Sequence, residues 1–82
     1  MIESKEALVG RFLRLAEQFE ASQNPVTGIE LDDAMVALKR YILSVENNQD
    51  AASLLNRLGK LLRSRDMGEF SSTLAAVRNI LQ

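Results

Sequence analysis

The segment TGIELDDAMVALKRYILSVEN, residues 27–47, carries two apolar stripes at helical spacing. The first recurs every three or four residues, which is the period of an amphipathic α-helix. Its members are Leu31, Ala34, Met35, Leu38, Tyr41, Ile42 and Val45. The second stripe, Ile29, Val36 and Leu43, repeats every seven residues on the other side of the helix. Because a helix with two apolar sides needs two neighbours, the segment predicts a fold in which helices pack on helices.

Local signals place the start of this second helix at Gly28. Thr27 and Glu30 fit the capping box, in which two side chains satisfy each other's free backbone N–H groups. Val26 and Leu31 stand where a hydrophobic staple would form across the cap. Pro25 disfavours helical geometry at the residue before it, which indicates a loop ahead of the helix.

Three more segments show the same helical period. Asn48 or Asp50 is placed to cap a third helix, and Asp66 with Glu69 resembles a cap for the fourth. Gly59 lies beside the leucine seam of the third helix, where it is expected to allow a close approach between helices. The predicted helices span residues 3–22, 28–47, 51–64 and 67–82.

Short connections between these helices favour an all-α fold, a small antiparallel four-helix bundle formed by a single domain over residues 1–82. The first two predicted helices are longer than the last two. The alternative is therefore a pair of helical hairpins that complete their core by dimerisation.

Composition excludes most catalytic chemistry. The 82 residues contain no Cys, His or Trp, so thiolate nucleophiles, imidazole bases and Cys or His metal sites are absent. We expect no enzyme activity, no cofactor, no metal and no small-molecule substrate. The formal net charge is −1, and neither a membrane span nor a signal peptide is evident. The sequence thus predicts a soluble cytoplasmic protein without a membrane partner.

The seven-residue stripe Ile29, Val36 and Leu43 has two interpretations. Another helix of the same chain would cover it if the second helix were central in the monomer. Otherwise the row is exposed, and it would then be an interface for a partner helix or a second copy.

A basic face is predicted on the third helix, because residues 51–65 hold four cations and no acidic residue. Its members are Arg57, Lys60, Arg63 and Arg65. Such a face is commonly just solvated. It would also serve as a charged rim that orients a protein partner, or as a weak contact to nucleic-acid phosphates.

The sequence therefore favours a small non-enzymatic protein–protein interaction module, such as an adaptor, regulator, chaperone-like protein or inhibitor, with possible self-association as a homodimer. One alternative is a weak nucleic-acid-binding protein that uses the basic face. The other is a subunit of a larger helical assembly.

Overall fold

The computed structural model of the chain describes residues 4–81 and contains four α-helices. The helices are α1, Lys5–Ser22; α2, Pro25–Tyr41; α3, Gln49–Ser64; and α4, Met67–Leu81. A π-helical turn, Ile42–Glu46, continues α2. No strand occurs within residues 4–81, so the predicted all-α class is confirmed. The predicted first and last helical positions, 3 and 82, lie outside the described residues.

The helices pack in cyclic order, as expected for an antiparallel four-helix bundle. Contact is most extensive between α1 and α2 and between α3 and α4, which form the two hairpins. The α2–α3 and α1–α4 contacts then close the bundle. Across the described residues, neither diagonal pair of helices comes into close backbone contact. The predicted bundle architecture is confirmed.

Each helix contributes fully buried side chains to one core. The largest of these are Phe12, Phe70, Leu31, Leu38, Ile42, Leu58 and Val77. Leu31, Leu38 and Ile42 belong to the core stripe that the sequence predicts for the second helix. A single chain therefore supplies a core of its own, and the hydrophobic effect on these side chains is the main stabilising force.

Polar contacts on the α1–α4 flank support this packing. The Ser71 hydroxyl donates to Glu20 Oε2 at 2.6 Å, and Arg78 lies 3.0 Å from Glu17 Oε1. Both contacts are exposed, so they are worth at most about 1 kcal/mol each. They therefore contribute little to the stability of the packing between α1 and α4.

The start of α2 differs from the prediction. Asn24 is the N-cap, since its Oδ1 accepts a hydrogen bond from the N–H of Val26 at 2.8 Å. Pro25 occupies the first helical position, where its fixed φ suits the helix and its missing N–H is not needed. The capping box at Thr27 is therefore wrong, because Thr27 already lies inside the helix. The predicted staple is also absent there, since Val26 is 62% exposed.

The caps of the last two helices agree with the sequence. The Asn48 side chain accepts from the N–H of Ala51 at 3.1 Å, and α3 begins at the next residue, Gln49, two residues earlier than predicted. The Asp66 carboxylate accepts from the N–H of Glu69 at 3.2 Å. Both are side-chain caps of the usual kind, which satisfy backbone donors that no helical carbonyl reaches.

The π-helical turn explains why Val45 is not in the core. Within this turn the backbone bonds run from residue i+5 to residue i, as the N–H of Asn47 shows by donating to the carbonyl of Ile42. The Ser44 hydroxyl also donates to the carbonyl of Arg40 at 2.7 Å. Because the 3.6-residue period is lost here, Val45 moves off the core face and is 63% exposed.

The cap assignment predicts different results for two neighbouring alanine substitutions. Asn24→Ala removes the acceptor for the N–H of Val26 and is expected to lower the free energy of unfolding by about 1 kcal/mol. Thr27→Ala leaves the cap intact and is expected to change it by less than about 0.5 kcal/mol. Urea unfolding followed by circular dichroism measures both, and a larger loss for Thr27→Ala would contradict the assignment.

Candidate interaction surface on the second and third helices

The seven-residue stripe on α2 faces away from the core. Ile29 is 66% exposed, Val36 is 37% exposed and Leu43 is 39% exposed. The buried side of α2 carries Leu31 and Leu38 instead. Coverage of the stripe by another helix of the chain, the first of the two interpretations, is therefore wrong. The stripe is an apolar row open to solvent.

The basic face divides between two neighbouring helices. Arg57 is directed to α4, where its guanidinium lies 3.6 Å from a carboxylate oxygen of Glu69. Arg63 is directed to α2, where it lies 3.7 Å from Asp32 Oδ1. Both pairs are exposed, so each contributes little to stability. Two of the four predicted cations thus have a carboxylate of the same chain beside them.

The other two cations have no such partner within the described part of the chain. No carboxylate of residues 4–81 comes within 4.0 Å of Lys60 or Arg65 in an ion pair. Lys60 is exposed on α3. Arg65 is the C-cap of α3, in the left-handed conformation at φ 58°, and therefore lies in the turn rather than on the helical face.

The α2 and α3 helices meet in a defined antiparallel register. Asp32 pairs with Arg63, and the Lys39 ammonium donates to Asn56 Oδ1 at 2.8 Å. A step of seven residues toward the C-terminus of α2 thus corresponds to a step of seven residues toward the N-terminus of α3. In this register Val36 is opposite Gly59.

A groove runs along this helix pair, and Gly59, which has no side chain, lines one part of it. One part of the groove has a volume of about 160 Å³, and Val36, Gly59 and Lys60 are among its lining residues. The second part, about 370 Å³, includes Ile29 and Arg65. Asp32 and Arg63 line both parts, so their ion pair divides the groove.

The groove joins surfaces that the sequence treats as separate. It brings Ile29 and Val36 of the stripe beside Lys60, Arg63 and Arg65, whereas Leu43 and Arg57 are not among the lining residues. The sequence contains one signal for this arrangement. Asp32 and Lys39 on α2 have the same seven-residue spacing as Asn56 and Arg63 on α3, and that match was missed.

Gly59 does not have the role that the sequence suggests. A Cβ atom built at Gly59 meets only the Arg63 guanidinium, at 3.8 Å, so the position has room for a side chain. The close approach between helices occurs instead at Gly28, where a Cβ atom would lie 3.1 Å from Phe19 Cε1. Gly59 keeps the groove open, and Gly28 allows α1 and α2 to pack closely.

The two glycines predict different responses to alanine. Gly59→Ala is expected to raise the free energy of unfolding by about 0.5–1 kcal/mol, because alanine favours the helix and the added methyl has space. Gly28→Ala is expected to gain less than this or to lose stability, since the Phe19 ring must shift. Urea unfolding of both variants measures the difference. A destabilised Gly59→Ala variant would show that the α2–α3 contact is tighter than described.

Comparison of the chain with protein-family models, with curated proteins and with solved structures found no significant match. Within residues 4–81, none of the helices has the length and apolar content needed to cross a membrane.

Proposed function

We propose that the chain is a small non-enzymatic interaction protein that binds a protein partner through the exposed side of α2 and the adjoining groove. The apolar contact is Ile29, Val36 and Leu43. The charged rim of the groove is formed by Lys60 and Arg63 of α3 and by Arg65 at its C-cap. Arg57, the fourth cation of the basic face, is directed to α4 and lies outside this rim. An adaptor, regulator, chaperone-like protein or inhibitor would act in this way.

The exposed row on α2 carries this proposal. Three aliphatic side chains in line on one helix are an unusual surface for a monomer, and such rows mark sites of contact with other proteins. Covering them removes apolar surface from water, which contributes about 1–2 kcal/mol for each side chain at these exposures. The straight row suits the face of a second helix.

The rim beside the row adds charge selectivity. Lys60 and Arg65 have no described ion-pair partner, so they are available to a carboxylate of the bound protein. Charges at a rim affect the rate and orientation of association more than the final affinity. Protein partners with acidic residues beside an apolar helix face are therefore favoured.

A phosphate contact is the weaker use of the same cations. Glu69 and Asp32 lie 3.6 and 3.7 Å from Arg57 and Arg63, and they offset half of the basic face. Binding through phosphates grows with the number of cations that are free to replace counterions. The geometry thus favours a protein partner over a nucleic acid.

A capture experiment with matched variants tests the proposal. Tagged wild-type chain, Val36→Glu and Ala75→Glu are incubated with nuclease-treated lysate of the native source, and retained proteins are quantified by mass spectrometry. Ala75 is exposed on α4, away from the groove, so it controls for an added carboxylate. We expect proteins that wild type and Ala75→Glu retain and that Val36→Glu loses at least about tenfold, because a charge enters the apolar contact.

Circular dichroism and urea unfolding confirm that each variant is folded, since Val36 and Ala75 are both exposed helix positions. An identical set of proteins on all three chains would contradict the proposal. Protein that the wild-type chain retains from untreated lysate but not from nuclease-treated lysate would favour the phosphate contact instead.

A further inference from the structure

The α2 helix carries two sets of one acidic and one basic residue, and in each set the two residues are seven positions apart. Asp32 and Lys39 form the first, and Asp33 and Arg40 form the second. The first pair meets α3, through the Asp32–Arg63 ion pair at 3.7 Å and the Lys39–Asn56 hydrogen bond at 2.8 Å. It shows that an acid and a base seven residues apart on α2 match an antiparallel helix.

The second pair has no match within the described residues. Asp33 and Arg40 are both exposed, and neither forms an ion pair within 4.0 Å in residues 4–81. No residue three or four positions away on the helix carries the opposite charge, so there is no intrahelical partner either. Both side chains are available to another molecule.

The second pair also lies on the same side of α2 as the exposed stripe. At about 100° per residue, Ile29, Asp33 and Arg40 fall within about 60° of Val36. Leu43, in the π-helical turn that continues α2, is exposed as well. On this side of α2, the apolar residues of the row therefore alternate with charged residues. From the N-terminal end the order is Ile29, Asp33, Val36, Arg40 and Leu43.

This order of residues matches the same order read in the opposite direction, with Val36 at the centre. Asp33 stands three residues before Val36 and Arg40 four residues after it, while Ile29 and Leu43 are each seven residues away. At 1.5 Å per residue, Ile29 is about 10 Å from the centre. Leu43 is seven residues away on the other side, and the last two of these residues belong to the π-helical turn. A second copy running in the opposite direction places opposite charges and apolar residues against each other.

We propose that two copies of the chain form a dimer in which their α2 helices pack antiparallel across a two-fold axis at Val36. Asp33 pairs with Arg40 of the second copy, and Ile29 packs on Leu43 of the second copy. Each contact occurs twice, as in every two-fold interface. The inference rests on the proposed function, since it identifies the occupant of the exposed row on α2.

Charge reversal tests the pairing in the purified full chain. Wild type is expected to sediment at equilibrium at twice its 9.1 kDa mass, in low salt. Asp33→Arg alone and Arg40→Asp alone each turn both pairs into repulsions, and each is expected to raise the dissociation constant about tenfold or more. Together they restore opposite charges, so the double variant is expected to return to within about threefold of wild type.

Any other pattern overturns the dimer. A wild-type chain that stays monomeric, or a double variant as weak as the single ones, contradicts the Asp33–Arg40 pairing. Assemblies beyond two chains contradict the closed two-fold contact. Both substituted positions are exposed, and circular dichroism checks that each variant remains helical.

Chemical cross-linking tests the direction of the two helices, because the chain has no native cysteine. With a short bismaleimide, Val36→Cys is expected to cross-link to itself. Ile29→Cys is expected to cross-link only when it is mixed with Leu43→Cys, since the two Ile29 positions lie about 20 Å apart in the antiparallel pair. Self-cross-linking of Ile29→Cys would indicate parallel helices and overturn the proposal.

Failure of the dimer and failure of the proposed function give different results. A monomeric purified chain that still captures another protein in a Val36-dependent manner overturns the dimer and leaves the proposed function standing. A dimer with the expected charge rescue supports the inference, whatever the lysate contains.

Discussion

The ring of Phe19 contacts or borders every other helix of the bundle, and the placement of α2 depends on it. Its edge fits beside Gly28, where a Cβ atom would be only 3.1 Å away. Its ring centroid is 5.7 Å from that of Phe70 on α4, at a tilt of 59°, which is a favourable aromatic arrangement. Leu62 of α3 and Phe19 both line the second part of the groove between α2 and α3. On the same helix, Leu31 and Leu38 are directed into the core, where both are fully buried. The opposite side, with Ile29 and Val36, is left facing solvent.

The rotation of α2 also separates its adjacent charges. Asp32 and Asp33 differ by about 100° around the helix, as do Lys39 and Arg40. One member of each couple therefore reaches α3, and the other is exposed. A single helix thus has one side that fixes the register of the bundle and another that is available to a partner. This division supports interpreting the exposed residues as a binding surface, since the packing of α2 is already satisfied on its other sides.

Stability and the proposed recognition depend on different residues of this chain. Buried apolar side chains from all four helices stabilise the bundle. The ion pairs are exposed or only partly buried, and pairs near the surface contribute about 0–1 kcal/mol. Gly59 even costs about 1 kcal/mol relative to alanine within α3, and it leaves the groove open beside Val36. The charges and the glycine on this side of the molecule thus add little to stability, which agrees with the proposed contact with a partner.

The sequence by itself determined the four helices, most of their buried seams and the cap at Asp66, and it narrowed the cap of α3 to Asn48 or Asp50. These features depend on residues within one or two helical turns, and local spacing is enough to identify them. It also identified Ile29, Val36 and Leu43 as a second apolar row, but not whether another helix covers them. The sequence misplaced the start of α2, since Pro25 suits both a loop and a first helical position. It missed the π-helical turn, which moves Val45 out of the core. Only the tertiary structure decided that Val36 lies opposite Gly59 and that the row meets Lys60 and Arg63. Those relations depend on the rotation and register of α2 against α3, which are set by packing between residues distant in sequence.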